Sequence, residues 1–179
     1  MDTKMNDYMI RILQDIKNKK LKNIECAFEE KWNRAYGYVR LNVGSTSIDI
    51  SNVQEGISLF GEVDDVSVLK CFNNTGKTIK EAFNLIDTYN PVTLDINELI
   101  NDVEIISEKI NIDNKTMEFD MCIVIKTTSH TYLLSRENWF DEFIYINVDK
   151  DFDEVYPINK DKEIWDSDNV TIERTTKQI

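Results

Sequence analysis

Glycine and proline are scarce in this 179-residue chain, which holds five glycines and two prolines. Globular proteins average about 7% glycine and about 5% proline. Folds that wrap a nucleotide phosphate use several tight glycine turns, because a side chain would keep the backbone away from the ligand. The shortage therefore counts against a nucleotide-binding fold.

Long apolar runs are also missing, and cysteines are few. No segment approaches the run of about 18 apolar residues that crosses a membrane, and residues 1–20 lack the apolar region of a secretory signal. The cysteines, Cys26, Cys71 and Cys122, contain no Cys-x-x-Cys pair. An odd number of widely spaced cysteines predicts reduced thiols. We expect a cytoplasmic protein that does not bind membranes.

One segment resembles a phosphate-binding loop but departs from it at the first position. Residues 71–78 end in Gly-Lys-Thr and lie between a predicted strand and a predicted helix. The loop needs glycine at its first position, where this chain has Cys71. It also needs parallel strands, which the pattern does not predict. We expect a plain turn here and no nucleotide cofactor.

Residues 149–154 resemble the opening of a calcium-binding loop, with aspartate at alternate positions. The sixth position should be glycine and is Glu154, and the twelfth should be a bidentate glutamate and is Lys160. One histidine and isolated cysteines exclude the usual zinc sites. The sequence predicts a charged loop and no bound metal.

Catalytic residues are hard to assemble from this sequence. His130 is the only histidine, so a Ser–His or Cys–His nucleophile would have to use it, and no nucleophile-elbow motif lies nearby. Adjacent carboxylates such as Asp64 and Asp65 arise by composition alone in a chain with 33 acidic residues. We expect a protein that is not an enzyme. A small hydrolase that uses two carboxylates stays an alternative.

Helical spacing is confined to two segments. Apolar residues recur every three or four positions from Met5 to Ile16, which predicts an amphipathic helix over about residues 3–19. A second helix is predicted over about residues 78–89, ended by Pro91, because the residue before a proline avoids helical geometry.

Most other segments have the two-residue period of strands. Strands are predicted in residues 25–33, 36–43, 47–51, 66–72, 117–126, 130–134 and 142–148. Residues 95–112 fit either a short helix or a strand, and residues past Lys160 should lie along the body or fray. The sequence thus predicts one α+β domain over residues 1–179. It would be a mostly antiparallel sheet with the N-terminal amphipathic helix and one or two further helices packed on it.

Acidic charge is concentrated in the second half of the chain. Residues 1–90 hold 12 Lys or Arg and 13 Asp or Glu, a balance of −1. Residues 91–179 hold 9 and 20, a balance of −11 out of a net −12. Such a field repels nucleic acids and anionic membranes and attracts basic partners. We therefore expect no direct nucleic-acid binding.

Aromatic and acidic residues are interleaved over residues 139–168. Exposed aromatic side chains ringed by carboxylates suit a protein that binds a basic partner. The alternative is that these aromatic rings are core and the charges only keep the protein in solution. The predicted partner-binding residues are Trp139, Asp141, Glu142, Asp149, Asp151, Asp153, Glu154 and Tyr156.

These patterns together predict a non-catalytic acidic binding protein that docks a basic macromolecular partner. An inhibitor or immunity protein that blocks a bacterial toxin fits the size, the charge and the lack of a catalytic set. An inhibitor from a phage or mobile element that mimics DNA with its carboxylates is one alternative. A structural subunit whose partner is a copy of itself is another.

Overall fold

The structure is a computed structural model that describes residues 3–59, 62–74, 76–82, 91–113, 115–137, 139–158, 160, 162 and 169–179. The strands are β1 (Lys20–Glu29), β2 (Arg34–Val43), β3 (Thr46–Leu59), β4 (Glu62–Asn73), β5 (Val92–Ile112), β6 (Lys115–Thr127), β7 (Thr131–Ser135), β8 (Phe143–Val148) and β9 (Val170–Gln178). The helices are α1 (Asp7–Gln14), α2 (Ile79–Ala82) and α3 (Phe152–Val155), and a 3-10 turn spans Glu30–Trp32.

The predicted α+β class is wrong, because the chain folds mostly as one antiparallel sheet. The described helices are eight, four and four residues long, too short to form a layer on that sheet. Residues 95–112, which fitted either a helix or a strand, lie entirely within β5. In the stretch after Lys160, residues 170–178 lie along the body as β9, which pairs with β5.

The N-terminal helix is present but shorter than predicted. Its start is fixed by Asn6, whose side chain accepts hydrogen bonds from the amides of Tyr8 and Met9. It ends at Gln14, and Asn18 adopts the left-handed backbone conformation with φ 60°. The Asn18 amide then donates to the Ile100 carbonyl at 2.9 Å. Pairing with the sheet thus takes over from the helix before residue 19.

The second predicted helix begins where expected. The Thr78 amide and hydroxyl donate to the Glu81 carboxylate, and the Glu81 amide donates back to the Thr78 hydroxyl. This reciprocal capping box precedes α2. The predicted residues 83–89 lie outside the described part of the chain.

Six strands close into a ring of antiparallel pairings, which we call the central ring. β1 pairs with β2 and with the first half of β5. From β5 the pairing continues through β6, β7 and β8 and returns to residues 34–36 of β2. The remaining part of β2 pairs with β3, which forms a long hairpin with β4. β9 pairs with the second half of β5.

β5 takes part in both halves of the sheet because it bends at two irregularities. Asn97 adopts φ 65° where the register against β1 shifts, and a second shift, against β6, lies between Ile100 and Asp102, where Asn101 is the extra residue of β5. An extra residue in one strand bends it and increases its twist. Asparagine tolerates the left-handed conformation better than most residues. The bends let residues 92–99 pair with β1 and residues 104–112 pair with β9.

The sheet carries a hydrophobic core on each face. The inner cluster collects side chains from all six ring strands and from α1, including Ile12 and Leu13. The outer cluster lies on the opposite face of β5, β6 and β7, under α3 and residue 139. Residues 119–125 of β6 are therefore buried on both faces rather than on one. In the described part of the chain, no helix is long and apolar enough to cross a membrane.

Leu13 should be one of the residues on which stability depends, because it is fully buried in the inner cluster. Replacing Leu13 with alanine should lower the free energy of unfolding by about 2–5 kcal/mol. Urea denaturation followed by circular dichroism measures this as a lower midpoint.

The neighbouring Gln14 is exposed and provides the control. Gln14→Ala should change the free energy of unfolding by less than about 0.5 kcal/mol. Equal midpoints for Leu13→Ala and the unchanged protein would show that this side chain contributes no core packing.

Candidate functional site

Two of the predicted partner-binding residues lie inside the protein. Trp139 is 0% exposed and Tyr156 is 1% exposed, and both belong to the outer cluster. The Trp139 ring meets Phe119 edge to face at a centroid distance of 4.4 Å. Tyr156 stacks on Phe152 at 5.8 Å. These rings hold the surrounding segments against the sheet, while Phe140 beside Trp139 is 52% exposed.

Asp141 and Glu142 are half-buried and serve to attach their loop to neighbouring strands. The Asp141 carboxylate accepts from the Phe143 amide at 3.2 Å, and burial raises the pKa of Asp141. The Glu142 carboxylate accepts from the Tyr36 hydroxyl at 3.0 Å and from the Gln54 amide at 3.4 Å. Both carboxylates are therefore engaged in hydrogen bonds within the fold.

The other four predicted residues lie in residues 149–154, which follow β8 and include the first three residues of α3, and which we call the acidic ridge. Asp149, Asp151, Asp153 and Glu154 are all exposed. Phe152, between them, is 3% exposed and points into the outer cluster. The ridge therefore turns its carboxylates outward because its aromatic residue is held inside.

Hydrogen bonds fix the ridge at its start and at α3. The Asp149 carboxylate accepts from the Thr131 amide at 2.9 Å, and the Thr131 carbonyl accepts from the Asp149 amide at 2.8 Å. Asp151 caps α3, since its carboxylate accepts from the Asp153 amide at 2.8 Å. Two of the four carboxylates thus define the local backbone as well as the local charge.

Arg174 of β9 holds the end of the ridge to the sheet. Its guanidinium pairs with Glu108 of β5, with an Nε to Oε1 distance of 2.8 Å, and with Asp153 of the ridge. It also donates to the Tyr156 carbonyl at 2.8 Å and stacks over the Phe152 ring at 4.5 Å. Glu108 is 0% exposed, so the Arg174–Glu108 pair is an interior ion pair.

Beside the ridge lies a cavity of about 320 Å³ on the outer face of the sheet, which we call the sheet-face cavity. It crosses four adjacent strands, β7, β6, β5 and β9, and the ridge forms one wall. Apolar side chains form its floor and charged side chains its rim. The apolar lining residues are Ile106, Val124, Leu133 and Phe152, and the charged ones are Glu104, Lys126, Lys150, Asp151, Asp153 and Arg174.

His130 lies beside Asp149, the first residue of the ridge, within a small cluster of polar groups. Its Nδ1 is 2.7 Å from Glu98 Oε1, and its Nε2 is 3.9 Å from Asp149 Oδ2. The hydrogen bond to Glu98 raises the pKa of His130, while desolvation opposes the rise. Burial opposes ionisation of Glu98, but hydrogen bonds from Thr127 and His130 outweigh it and lower the pKa of Glu98.

The three thiols are unsuited to nucleophilic chemistry. All three cysteines are buried. Burial, followed by the nearby Glu25 charge, raises the pKa of Cys26 to about 12. Burial also raises the pKa values of Cys71 and Cys122. Because the thiolate is the nucleophile, these groups stay protonated and inert at neutral pH.

Residues 71–78 and 149–154, which resemble a phosphate-binding loop and a calcium-binding loop in sequence, do not have the structural surroundings of such loops. Cys71 lies in β4, paired antiparallel with Ile50 of β3, and the Lys77 carbonyl accepts from Arg40 at 2.7 Å. In the ridge, whose sequence resembles the opening of a calcium-binding loop, Asp153 forms an ion pair with Arg174. Across the described residues, no group of three or more His, Cys, Asp or Glu is arranged to hold a metal ion.

Comparison with known proteins finds no matching family model, no matching curated protein and no matching solved structure.

Sequence reasoning found the exposed carboxylates but missed the residues that support them. Glu108 and Arg174 are 66 positions apart and come together only because β5 pairs with β9. Glu104 and Lys126, whose charged groups lie 2.6 Å apart, meet through the pairing of β5 with β6. Neither pair has a local signal in the sequence.

Removing Arg174 should both destabilise the fold and loosen the ridge. Arg174→Met keeps most of the apolar stem of the side chain but takes the cation away from the buried Glu108 carboxylate. Breaking a buried pair in this way costs about 3–5 kcal/mol. Amide hydrogen exchange should accelerate at residues 152–156, because Asp153 and the Tyr156 carbonyl lose their shared partner.

Lys177→Met is the matched control, since Lys177 is an exposed cation on the same strand. It should leave both the free energy of unfolding and the exchange of residues 152–156 nearly unchanged. If the two variants behave alike, Arg174 does not anchor the ridge.

The single histidine allows an unambiguous titration. In a proton NMR titration, the His130 ring signals should shift with a midpoint above the ordinary value of 6.5. Glu98→Gln should return the midpoint towards that value. Because the folded pKa exceeds the unfolded one, protonated His130 stabilises the fold below about pH 6.5. This contribution disappears as the pH rises through the folded value.

A midpoint at or below 6.5 in the unchanged protein would contradict the Glu98 hydrogen bond. So would a midpoint that Glu98→Gln leaves in place.

Proposed function

We propose that this protein is a non-catalytic binding protein that docks a basic macromolecular partner through the acidic ridge. The observation that carries the proposal is the ridge itself, where four exposed carboxylates lie within six residues of chain. An inhibitor or immunity protein that covers a basic bacterial toxin is the most specific form of this function.

The attachment of the ridge to the sheet supports this proposal. Arg174 ties the ridge to β9 and β5, and Phe152 is packed in the outer cluster. A preorganised charged surface loses little conformational entropy when a partner binds. Carboxylates held in this way suit recognition better than the same charges on a mobile tail.

The charge distribution supports it as well. Lys150 is the only cation in the sequence of residues 149–154, and the second half of the chain carries −11. Exposed charges steer an oppositely charged partner over a distance of about 8–10 Å at physiological salt. Such steering raises the association rate and disfavours acidic competitors.

The inertness of the nucleophiles is compatible with binding rather than chemistry. The thiols are buried and stay protonated, and the His130 imidazole is hydrogen-bonded to Glu98. We infer that the exposed charges of the ridge act through complementarity with a partner.

The proposal predicts that the position of the charges matters, and not only their number. Hexalysine peptide, titrated at low salt and followed by amide NMR shifts, should bind saturably at residues 149–154. Asp149→Asn combined with Glu154→Gln should weaken this binding. Each exposed pair contributes about 0.2–1 kcal/mol, which predicts a loss of about 2- to 30-fold for the two changes. The difference should shrink as the ionic strength rises.

Asp64→Asn with Asp65→Asn is the matched control, because it removes two exposed carboxylates from β4 and gives the same net charge. This control should bind the peptide almost as well as the unchanged protein. An equal loss of hexalysine affinity in both double variants would mean that binding depends only on the net charge of the protein. Photo-crosslinking from position 150 in the source cell should capture a protein whose contact face is rich in Lys and Arg. Capture of an acidic partner would contradict the proposal.

A further inference from the structure

The charges around the sheet-face cavity largely neutralise one another. Glu104 pairs with Lys126 at 2.6 Å, and Asp153 pairs with Arg174. Asp151 is engaged as the cap of α3. Below this rim the floor is apolar, since Ile106, Val124 and Leu133 are each less than 10% exposed. A depression with an apolar floor and a balanced rim favours an uncharged apolar occupant over an ion.

We propose that the sheet-face cavity receives one aromatic side chain of the basic partner, while neighbouring Lys or Arg residues of that partner contact the acidic ridge. This inference rests on the proposed function and specifies the chemistry of the partner's contact segment. The cavity adds an anchor to a ridge that by itself supplies only charge.

The size of the cavity agrees with a single side chain. Its volume of about 320 Å³ lies at the lower limit of sites that hold whole small molecules, which span about 300–1,000 Å³. Binding energy at protein interfaces is concentrated in a few large residues, Trp and Tyr above all, that fill such pockets.

The lining cations select an aromatic ring over other side chains. Lys126, Lys150 and Arg174 all border the cavity, and cations attract the face of an aromatic ring. Arg174 already makes this contact with Phe152, with its guanidinium carbon 4.5 Å from the ring centroid. A lysine or arginine side chain would lose its hydration over the apolar floor, where the lining carboxylates Glu104, Asp151 and Asp153 are already engaged. The partner's own cations must therefore lie over the ridge, beside the cavity rather than inside it.

The ridge and the cavity form one surface because they share residues. Asp151 and Asp153 belong to the acidic ridge and also line the cavity. A short segment of the partner can thus reach both, with one aromatic residue flanked by basic ones.

Two pentapeptides test the inference on the unchanged protein: acetyl-Lys-Lys-Trp-Lys-Lys-amide and the same peptide with alanine in place of tryptophan. The tryptophan peptide should bind about 2- to 30-fold more tightly, the range that one cation–π contact supplies. Methyl NMR signals of Val124 and Leu133 should shift with the tryptophan peptide and stay in place with the alanine peptide.

A cavity-filling variant provides the second arm. Thr176 is exposed and lines the cavity, so Thr176→Trp should occupy it and remove the advantage of the tryptophan peptide. Thr175→Trp is the control, because Thr175 is the next residue of β9 and does not line this cavity. It should retain the advantage. The comparison of the two peptides does not depend on the folding of either variant.

The outcomes separate this inference from the function on which it rests. Equal affinity of the two peptides, with both weakened by Asp149→Asn and Glu154→Gln, would overturn the cavity inference and leave the acidic docking surface standing. If Asp149→Asn and Glu154→Gln leave the affinity of both peptides unchanged, the cavity inference and the proposed docking function are both wrong. Shifts of the Val124 and Leu133 methyl signals with the alanine peptide would show that these signals do not report binding of the aromatic ring in the cavity.

Discussion

The bending of β5 is the constraint on which the rest of the structure depends. This strand has 21 residues, and if straight it would extend about 70 Å. A compact chain of this length has a radius of gyration of only about 16 Å. The bulges at Asn97 and Asn101 divide the strand into two arms. One arm closes the central ring against β1, and the other carries β9.

Because of that division, the sheet has to be covered on both faces. The inner face is filled by ring side chains and α1, while the outer face of β5, β6 and β7 is covered by α3 and the segment around Trp139. The aromatic residues of the acidic segment contribute to this cover together with Ile57, Val66 and Val68 of the β3–β4 hairpin. Once Phe152 and Tyr156 are buried, the carboxylates between them must face solvent. Core packing and surface charge are therefore two results of one arrangement.

Burying a charged group in this core costs free energy of desolvation. The buried pair of Arg174 and Glu108 therefore needs a physical explanation. Desolvation of a buried pair often offsets its Coulomb attraction, and an apolar pair of similar volume would stabilise the fold as well or better. An ion pair has stricter geometric demands than an apolar contact. Arg174 uses that directionality to hold β5, β9 and the ridge in one orientation. The docking surface that we propose needs such fixed geometry more than it needs additional stability.

Much of the local structure could be predicted from the sequence. The two-residue period identified the strands that became β2, β4 and β8, the helical period identified α1, and charge counts identified the acidic ridge. The class of fold was wrong because these patterns do not report how strands pair. In residues 95–112 both faces are buried along part of β5, so the alternation that separates a strand from a helix was weakened.

The sequence by itself determined which side chains alternate and where the negative charge accumulates, because both properties belong to neighbouring residues. Only the tertiary structure decided which way each face points. Trp139 and Tyr156 became core because a second hydrophobic cluster lies on the outer face of the sheet. Pairing between distant segments brings Arg174 to Glu108 and places four strands side by side to line the cavity. Long-range pairing is set by the combined burial of the whole chain, and no single segment encodes it.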